Sequence, residues 1–449
     1  MKRFLYLCVG SLLSVFVKAI LRKQDPKIVA VTGSVGKTST TQAIVRVLSE
    51  SFRVRGPMKN YNTELGVPLT ILGMESPGKN VMGWMRVFAR AFRWSVTNVE
   101  SPEVIVLELG ADRPGEIRRL ASMVRPHIGV VTAIGQYVPV HREFFQNTDQ
   151  LISEKRELVL QIRDEGLAVL NADDERVYAM RNSRRIRIVS CGIENSESQL
   201  RAMDLSMKIS PNTKDVQEHP EYLKPVVSMR FKIHGSGNVV PFELPGAVSE
   251  TRVLAALQAA AVGMELGMNL VTVSKGLSKF YGPPGRLQIL SGIKRTVLID
   301  DSYNASPASV HEALEVLKNF DLKSSLGIPC RRIACLGTMA ELGAPSRKEH
   351  RLVGEHAAQL CDVLMTVGDA AKAIADSAVA TGMSRDRVFS FSTSEECGLF
   401  LQERMKPGDV ILVKGSQSTR MERVVKEVMA EPERASDLLV RQGIFWEKH

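Results

Sequence analysis

Residues 29–42 read VAVTGSVGKTSTTQ, and this stretch decides the fold. An apolar, β-branched run ends in two glycines and a Gly-Lys-Thr, which is how a strand hands a phosphate-cradling turn to the start of a helix. The longer form of such a loop has a glycine five positions before Gly36, where this chain has Val31. Gly33-x-x-Gly36-Lys37-Thr38 is therefore a shortened loop. Gly33 and Gly36 let backbone N–H groups approach phosphate oxygens, Lys37 reaches the β and γ phosphates, and Thr38 offers a hydroxyl to magnesium.

Outward from the loop, short β-branched runs alternate with helical stretches. KIVAVTG, EVIVLELG, HIGVVTAIG and GLAVLNADD read as strands, each followed by a helix. The pattern predicts a mostly parallel sheet covered on both faces, a central P-loop ATPase domain over residues 26–290. Within it, VVSMRFKIHGSGNVVPFEL predicts a hairpin around Gly235–Gly237. An Ala-rich helix follows from about Glu250 to Leu266, and YGPPGRLQIL reads as a hinge. A second alternating series, TVLIDDSYN, RRIACLG, DVLMTVG and DVILVKG, predicts a Rossmann-like α/β domain over 291–449.

The composition narrows the function classes. With 44% apolar and 24% charged residues the chain is globular. Its net charge of +10 suits anionic ligands. Dispersed cations and 6% aromatics argue against nucleic acid. Six cysteines without C-x-x-C or metal-ligand spacing read as reduced thiols. The first 25 residues stand apart. From Phe4 to Leu21 only Lys18 is charged, so residues 4–21 carry two expectations: a helix anchored in a membrane, with membrane contact there, or a helix packed on the protein's own body or on a partner. No small-x-small cleavage site follows, which argues against a signal peptide.

Glu108 ends the strand VIVLELG on the sheet edge where the loop sits, and a carboxylate there is a candidate metal ligand. Taken singly, His141 is a loop histidine and Lys155 a lysine in a polar helix. The constellation changes that. VTGSVGKTST, NYNTELGVPLTIL, LELGADRPGEI, HREFFQNTDQLISEK, VLNADD, PPGRLQIL, DDSYNASPASV, GTMAELG and VKGSQSTRMERVV occur in one order across residues 29–425, and together they resemble the Mur ligases.

The resemblance implies an ATP-dependent carboxylate–amine ligase working through an acyl phosphate. In this family D-alanyl-D-alanine or a similar amine is joined to a muramoyl-peptide precursor of peptidoglycan. It implies ATP contacts from Gly33, Ser34, Gly36, Lys37, Thr38 and Ser39, with Arg286, Asp301, Tyr303 and Asn304 reaching the nucleotide from across the hinge. It implies two Mg²⁺ ions, held by Thr38, Glu108, His141 and Lys155, with Lys155 carbamylated. Lys37, Lys155 and His141 become the catalytic candidates, and Asn62, Thr63, Lys414 and Ser416 the substrate contacts. The partners are a small-molecule or lipid-linked cell-wall precursor and an amino acid or dipeptide. The location is the cytoplasm, with attachment to the inner face of the membrane if residues 4–21 contact it.

Several positions depart from the pattern. The run between Gly135 and His141 is longer, Ala133 replaces an asparagine, and Val248–Ser249 stand where a His-Asn is usual. Ser306 replaces an asparagine and Thr338 an aspartate. Too few residues precede the loop for the family's N-terminal, UDP-gripping domain. Two alternatives therefore stay open: a Mur-like ligase with another substrate, of the poly-γ-glutamate type, or a nucleotide-binding protein whose ligase activity has decayed.

Overall fold

A computed structural model describes residues 2–58, 61–97, 100–135, 145, 147–211, 222–223, 225–235, 237–443 and 446. The chain opens with helix α1 (Lys2–Gln24), then β1 (Lys27–Thr32), α2 (Lys37–Leu48), β2 (Val54–Arg55), α3 (Gly66–Leu72) and α4 (Val81–Val96). β3 (Val104–Glu108), α5 (Glu116–Val124), β4 (Ile128–Val131), α6 (Thr148–Leu160), β5 (Leu167–Asn171) and α7 (Glu175–Tyr178) follow. Then come β6 (Arg187–Gly192), β7 (Leu200–Pro211), β8 (Pro225–Gly235), β9 (Asn238–Pro245) and α8 (Glu250–Glu265).

These strands form one nine-stranded sheet in the order β2-β3-β1-β4-β5-β6-β7-β8-β9. It is parallel from β2 to β7, and β7, β8 and β9 pair antiparallel, with Gly235 opposite Asn238 in the expected hairpin. In β1 every residue after Lys27 is buried. That requires cover on both faces, which explains why the strand is continuously apolar rather than alternating. On one face α2 and α8 close a core around Val29, Val31, Ile44 and Leu257. On the other, α5 and α6 close a core around Ala30, Leu107, Ile117 and Leu158.

The second sheet is six-stranded: β10 (Gln288–Gly292), β11 (Thr296–Asp301), β12 (Arg332–Gly337), β13 (Val363–Val367), β14 (Val388–Phe391) and β15 (Val410–Lys414). Their order is β10-β11-β15-β12-β13-β14, parallel except for β10. This sheet begins at Gln288, just ahead of the expected change at residue 291. The architecture is thus the expected α/β pair, a mostly parallel P-loop lobe and a Rossmann-like lobe.

The N-terminal segment lies on the body of the protein. Leu13, Val17, Ile20 and Leu21 of α1 are buried against α3, α4 and α5, worth about 2 kcal/mol each. Among the described residues no helix is long and apolar enough to cross a membrane. For residues 4–21 a span is therefore not what the fold builds, because the helix's most apolar stripe is already taken up by the protein itself.

Candidate functional site

β1 lies between β3 and β4, so the chain leaves it in a crevice at the strand ends, where open α/β sheets bind ligands. Gly33 is fixed there by its neighbour. Thr132, just past β4, donates from its hydroxyl to Val35 O (2.6 Å), and a Cβ on Gly33 would overlap that hydroxyl. Gly36 is left-handed, with φ of 83°. The Ser34 and Val35 amides donate to Ala133 O (2.6 and 3.2 Å) and pin the loop to the next strand end. The N-terminus of α2 carries no side-chain cap, and its free amides suit an anion.

Lys37 folds back over the loop and donates from Nζ to Gly33 O (2.8 Å) and Ser34 O (3.3 Å). Burial lowers its pKa, against the opposing pull of Glu108. Glu108 pairs in register with Val31 at the end of β3, and its buried carboxylate accepts from Asn62 Nδ2 (3.2 Å). Asn62 O also accepts from Gly110 N (2.9 Å), so the segment holding Asn62 is tied to the end of β3 at two points.

Lys155 is buried on α6. Burial pushes its pKa down to about 7, helped by the charge of Lys37 and opposed by Glu154, Asp112 and Glu116. Its position is set by the residue before it. Glu154 accepts from Gly115 N (2.7 Å) and Ile117 N (2.6 Å), capping α5 and locking α6 against it. Lys37, Asn62, Thr63, Asp112, Arg113 and Lys155 are among the walls of a cavity of about 400 Å³.

A second, smaller cavity of about 110 Å³ opens behind the loop, between the lobes. Gly36, Ser39, Arg286, Asp301 and Asn304 line it, and Ser34 borders both cavities. Arg286 crosses from the hinge, with its guanidinium 4.1 Å from the centre of the Tyr303 ring and its Nη2 donating to Thr38 Oγ1 (3.4 Å). The hinge itself is anchored by Arg252 of α8, which donates to Tyr281 O (2.9 Å) and Arg286 O (3.0 Å).

The fold thus gathers Gly33, Ser34, Gly36, Lys37, Thr38, Ser39, Asn62, Thr63, Glu108 and Lys155 on one side, and brings Arg286, Asp301, Tyr303 and Asn304 to the loop from the other. His141 lies outside the described residues. Lys414 and Ser416 are buried, and Lys414 lines the smaller cavity beside Asp301 and Asn304. Lys414 donates to the Asp301 carboxylate and to Asn304 O (2.9 Å). Ser416 accepts from Ala340 N (2.7 Å). Both tie strand ends of the second lobe together.

Sequence reading singled out neither the charged cavity walls Asp112, Arg113, Glu116 and Arg119 nor Arg252. The first four lie in or just after LELGADRPGEI, whose acidic and basic residues were the available signal. Arg252 carried only one, a charge at the start of an otherwise Ala-rich, buried helix.

A phosphate loop forming the wall between two cavities, with a second α/β lobe reaching across it, suits phosphoryl transfer from a nucleotide on one side to an acceptor on the other. Comparison with known proteins makes this specific. Residues 31–240 match the Mur ligase middle domain, and residues 285–417 match the Mur ligase glutamate ligase domain. The UDP-N-acetylmuramoyl-tripeptide--D-alanyl-D-alanine ligase of Mycobacterium leprae is 32% identical over 406 residues, covering 87% of this chain and 71% of the relative. The Escherichia coli enzyme of the same name is 29% identical over 415 residues, covering 91% and 78%. The crystal structure of MurF from Acinetobacter baumannii superposes with a TM-score of 0.71 at 25% identity, covering 93% of this chain and 79% of that one. The fold is shared also with the Thermotoga maritima MurF ligase in complex with ADP, at a TM-score of 0.73. The chain belongs to the Mur ligase family.

Proposed function

We propose that this protein is an ATP-dependent peptide ligase of peptidoglycan precursor assembly, joining D-alanyl-D-alanine or a similar amine to a muramoyl-tripeptide. The observation that carries the reading is the loop standing as the common wall of two cavities. A nucleotide entering from the Arg286 side would lay its terminal phosphate on the loop, with the carboxylate acceptor facing it from the Lys155 side. A carboxylate oxygen attacks the γ-phosphorus in line and ADP leaves. The amine nitrogen then attacks the acyl carbon and phosphate leaves, while the nitrogen gives up its proton.

Each residue has a share in that sequence. Lys37 would exchange its loop carbonyls for phosphate oxygens, and Arg286 would hold the phosphate chain from the other lobe, where developing negative charge needs fixed cations. Asp301 and Asn304 offer polar contacts at the nucleoside end. Asp112, Arg113 and Arg119 give the acceptor cavity its charged walls.

The donor set suits magnesium. Glu108, held by Asn62, and the Thr38 hydroxyl are hard oxygen donors of the kind magnesium takes alongside phosphate and water. Magnesium would neutralise the transferring phosphoryl group. We propose two such ions, the second of which His141 and a carbamate on Lys155 would hold. A buried amine with a pKa near 7 is substantially neutral at neutral pH, and the neutral amine is the form that adds to carbon dioxide.

The experiment is phosphate release from ATP by purified protein against a panel of muramoyl-tripeptide with D-alanyl-D-alanine, lipid-linked precursors, and glutamate. Turnover with the muramoyl pair is expected. Glutamate-only turnover would transfer the site to a poly-γ-glutamate type of ligase, and no turnover with any pair would leave a nucleotide-binding protein.

A further inference from the structure

Helix α4 is apolar on two opposite faces. Val87, Ala91 and Trp94 point inward and are buried. Met82, Met85, Phe92 and Val96 recur at spacings of three, seven and four and point outward, with Met82 60% and Phe92 59% exposed. Alongside, α1 presents Leu12 and Val15, the latter 63% exposed. The two helices pack together, Phe16 meeting Phe92 edge to face at 6.5 Å and Lys23 Nζ donating to Val96 O (2.7 Å). Most of the large exposed apolar side chains among the described residues thus fall on this one helix pair. A stripe of that kind marks an interaction surface rather than scattered surface exposure.

Its charge says what the surface meets. Neither α1 nor α4 contains a single Asp or Glu, while together they hold Lys18, Arg22, Lys23, Arg86, Arg90 and Arg93 among their described side chains. On α4 the arginines follow one another at spacings of four and three, a row along one flank of the apolar stripe. Arg90 is braced over the Trp94 ring, 4.4 Å from its centre. Apolar side chains flanked by cations, on helices without a carboxylate of their own, match the headgroup and acyl boundary of an anionic bilayer, where each half of the surface finds its complement.

We propose that the α1–α4 pair lies in the plane of an anionic membrane surface, as an interfacial docking face and not as a span. The opposite, buried side of α1 packs beside the larger cavity: Gly10 sits against Glu64 O, where an added Cβ would lie 3.4 Å away, and Glu64 is one of that cavity's walls. Docking would therefore hold the acceptor side of the protein near the bilayer. The inference stands apart from the ligase reading, because lipid binding is measured without turnover.

The test is co-sedimentation of the full chain with vesicles of phosphatidylglycerol and phosphatidylcholine, against vesicles of phosphatidylcholine alone. Binding to the anionic vesicles that weakens with salt is expected. Arg86→Glu with Arg93→Glu should weaken it at least about tenfold, and Met82→Glu with Met85→Glu should abolish it. All four positions are outward-facing and outside both cavities, so circular dichroism and thermal unfolding should match the parent chain. Equal binding to both vesicle types, no binding, or binding unchanged in both variants would overturn the proposal. So would a chain that ignores vesicles yet dimerises in sedimentation through this patch, which would make the partner a second copy.

Discussion

The guanidinium of Arg286 lies over the Tyr303 ring and reaches the hydroxyl of Thr38, across 248 residues of sequence. It is the direct side-chain link between the hinge and the phosphate loop. Arg286→Ala should lower kcat by about a hundredfold or more, the usual effect of removing one fixed donor from developing charge. Arg286→Lys should restore little, since an ammonium neither stacks on the ring nor spans the same reach. Steady-state ATP turnover checks both, with thermal unfolding to confirm an intact fold.

Lys155 makes activity depend on pH in a definite direction. Its pKa is pushed down to about 7, so the ammonium form dominates below that value and the neutral, carbamate-forming amine above it. Activity should fall as pH drops through about 7, and added bicarbonate should shift the loss to lower pH. Carbon-13 bicarbonate should give a carbamate resonance that disappears in Lys155→Met. That variant should be inactive yet at least as stable as the parent, because it replaces a buried amine with an apolar side chain of similar length.

Gly33 and Thr132 form a testable pair. Gly33→Ala forces a methyl into the space of the Thr132 hydroxyl and should cost about 1–3 kcal/mol of stability, with nucleotide affinity lost as the loop shifts. Removing the obstruction in Gly33→Ala/Thr132→Ala should recover part of both. Calorimetric nucleotide binding by the two single variants and the double variant would measure the coupling.

The buried pair Asp301–Lys414 joins the ends of β11 and β15. Asp301→Asn strands the ammonium inside the second lobe and should destabilise the protein by about 3–5 kcal/mol. Lys414→Met in the same chain should return much of that stability without returning turnover. Urea unfolding monitored by circular dichroism decides.

The phosphate loop was legible because its chemistry is local: Gly33, Gly36, Lys37 and Thr38 need only a strand before and a helix after. Glu108 was legible as a strand-end carboxylate, and the alternation of β-branched runs carried both sheets. What the sequence could not convey depends on distant partners. Lys414 and Ser416 read as residues at a strand end, while the partners that hold them, Asp301 and Ala340, lie far off in sequence. Arg252 reads as one charge on an Ala-rich helix until the hinge carbonyls of Tyr281 and Arg286 come to meet it. In α1 the apolar run was visible, but the companion stripe on α4 was not, because pairing the two needs the fold.

The central step is transfer of the terminal phosphoryl group to the acceptor's carboxylate. Muramoyl-tripeptide labelled with oxygen-18 in its terminal carboxylate, incubated with ATP, magnesium, D-alanyl-D-alanine and the protein, tests that step directly by mass spectrometry of the released phosphate. A label carried into phosphate in step with formation of the ligated peptide is the result expected, and Lys37→Ala should yield neither. Phosphate released without label, from water attacking ATP and with no ligated peptide, would contradict the account.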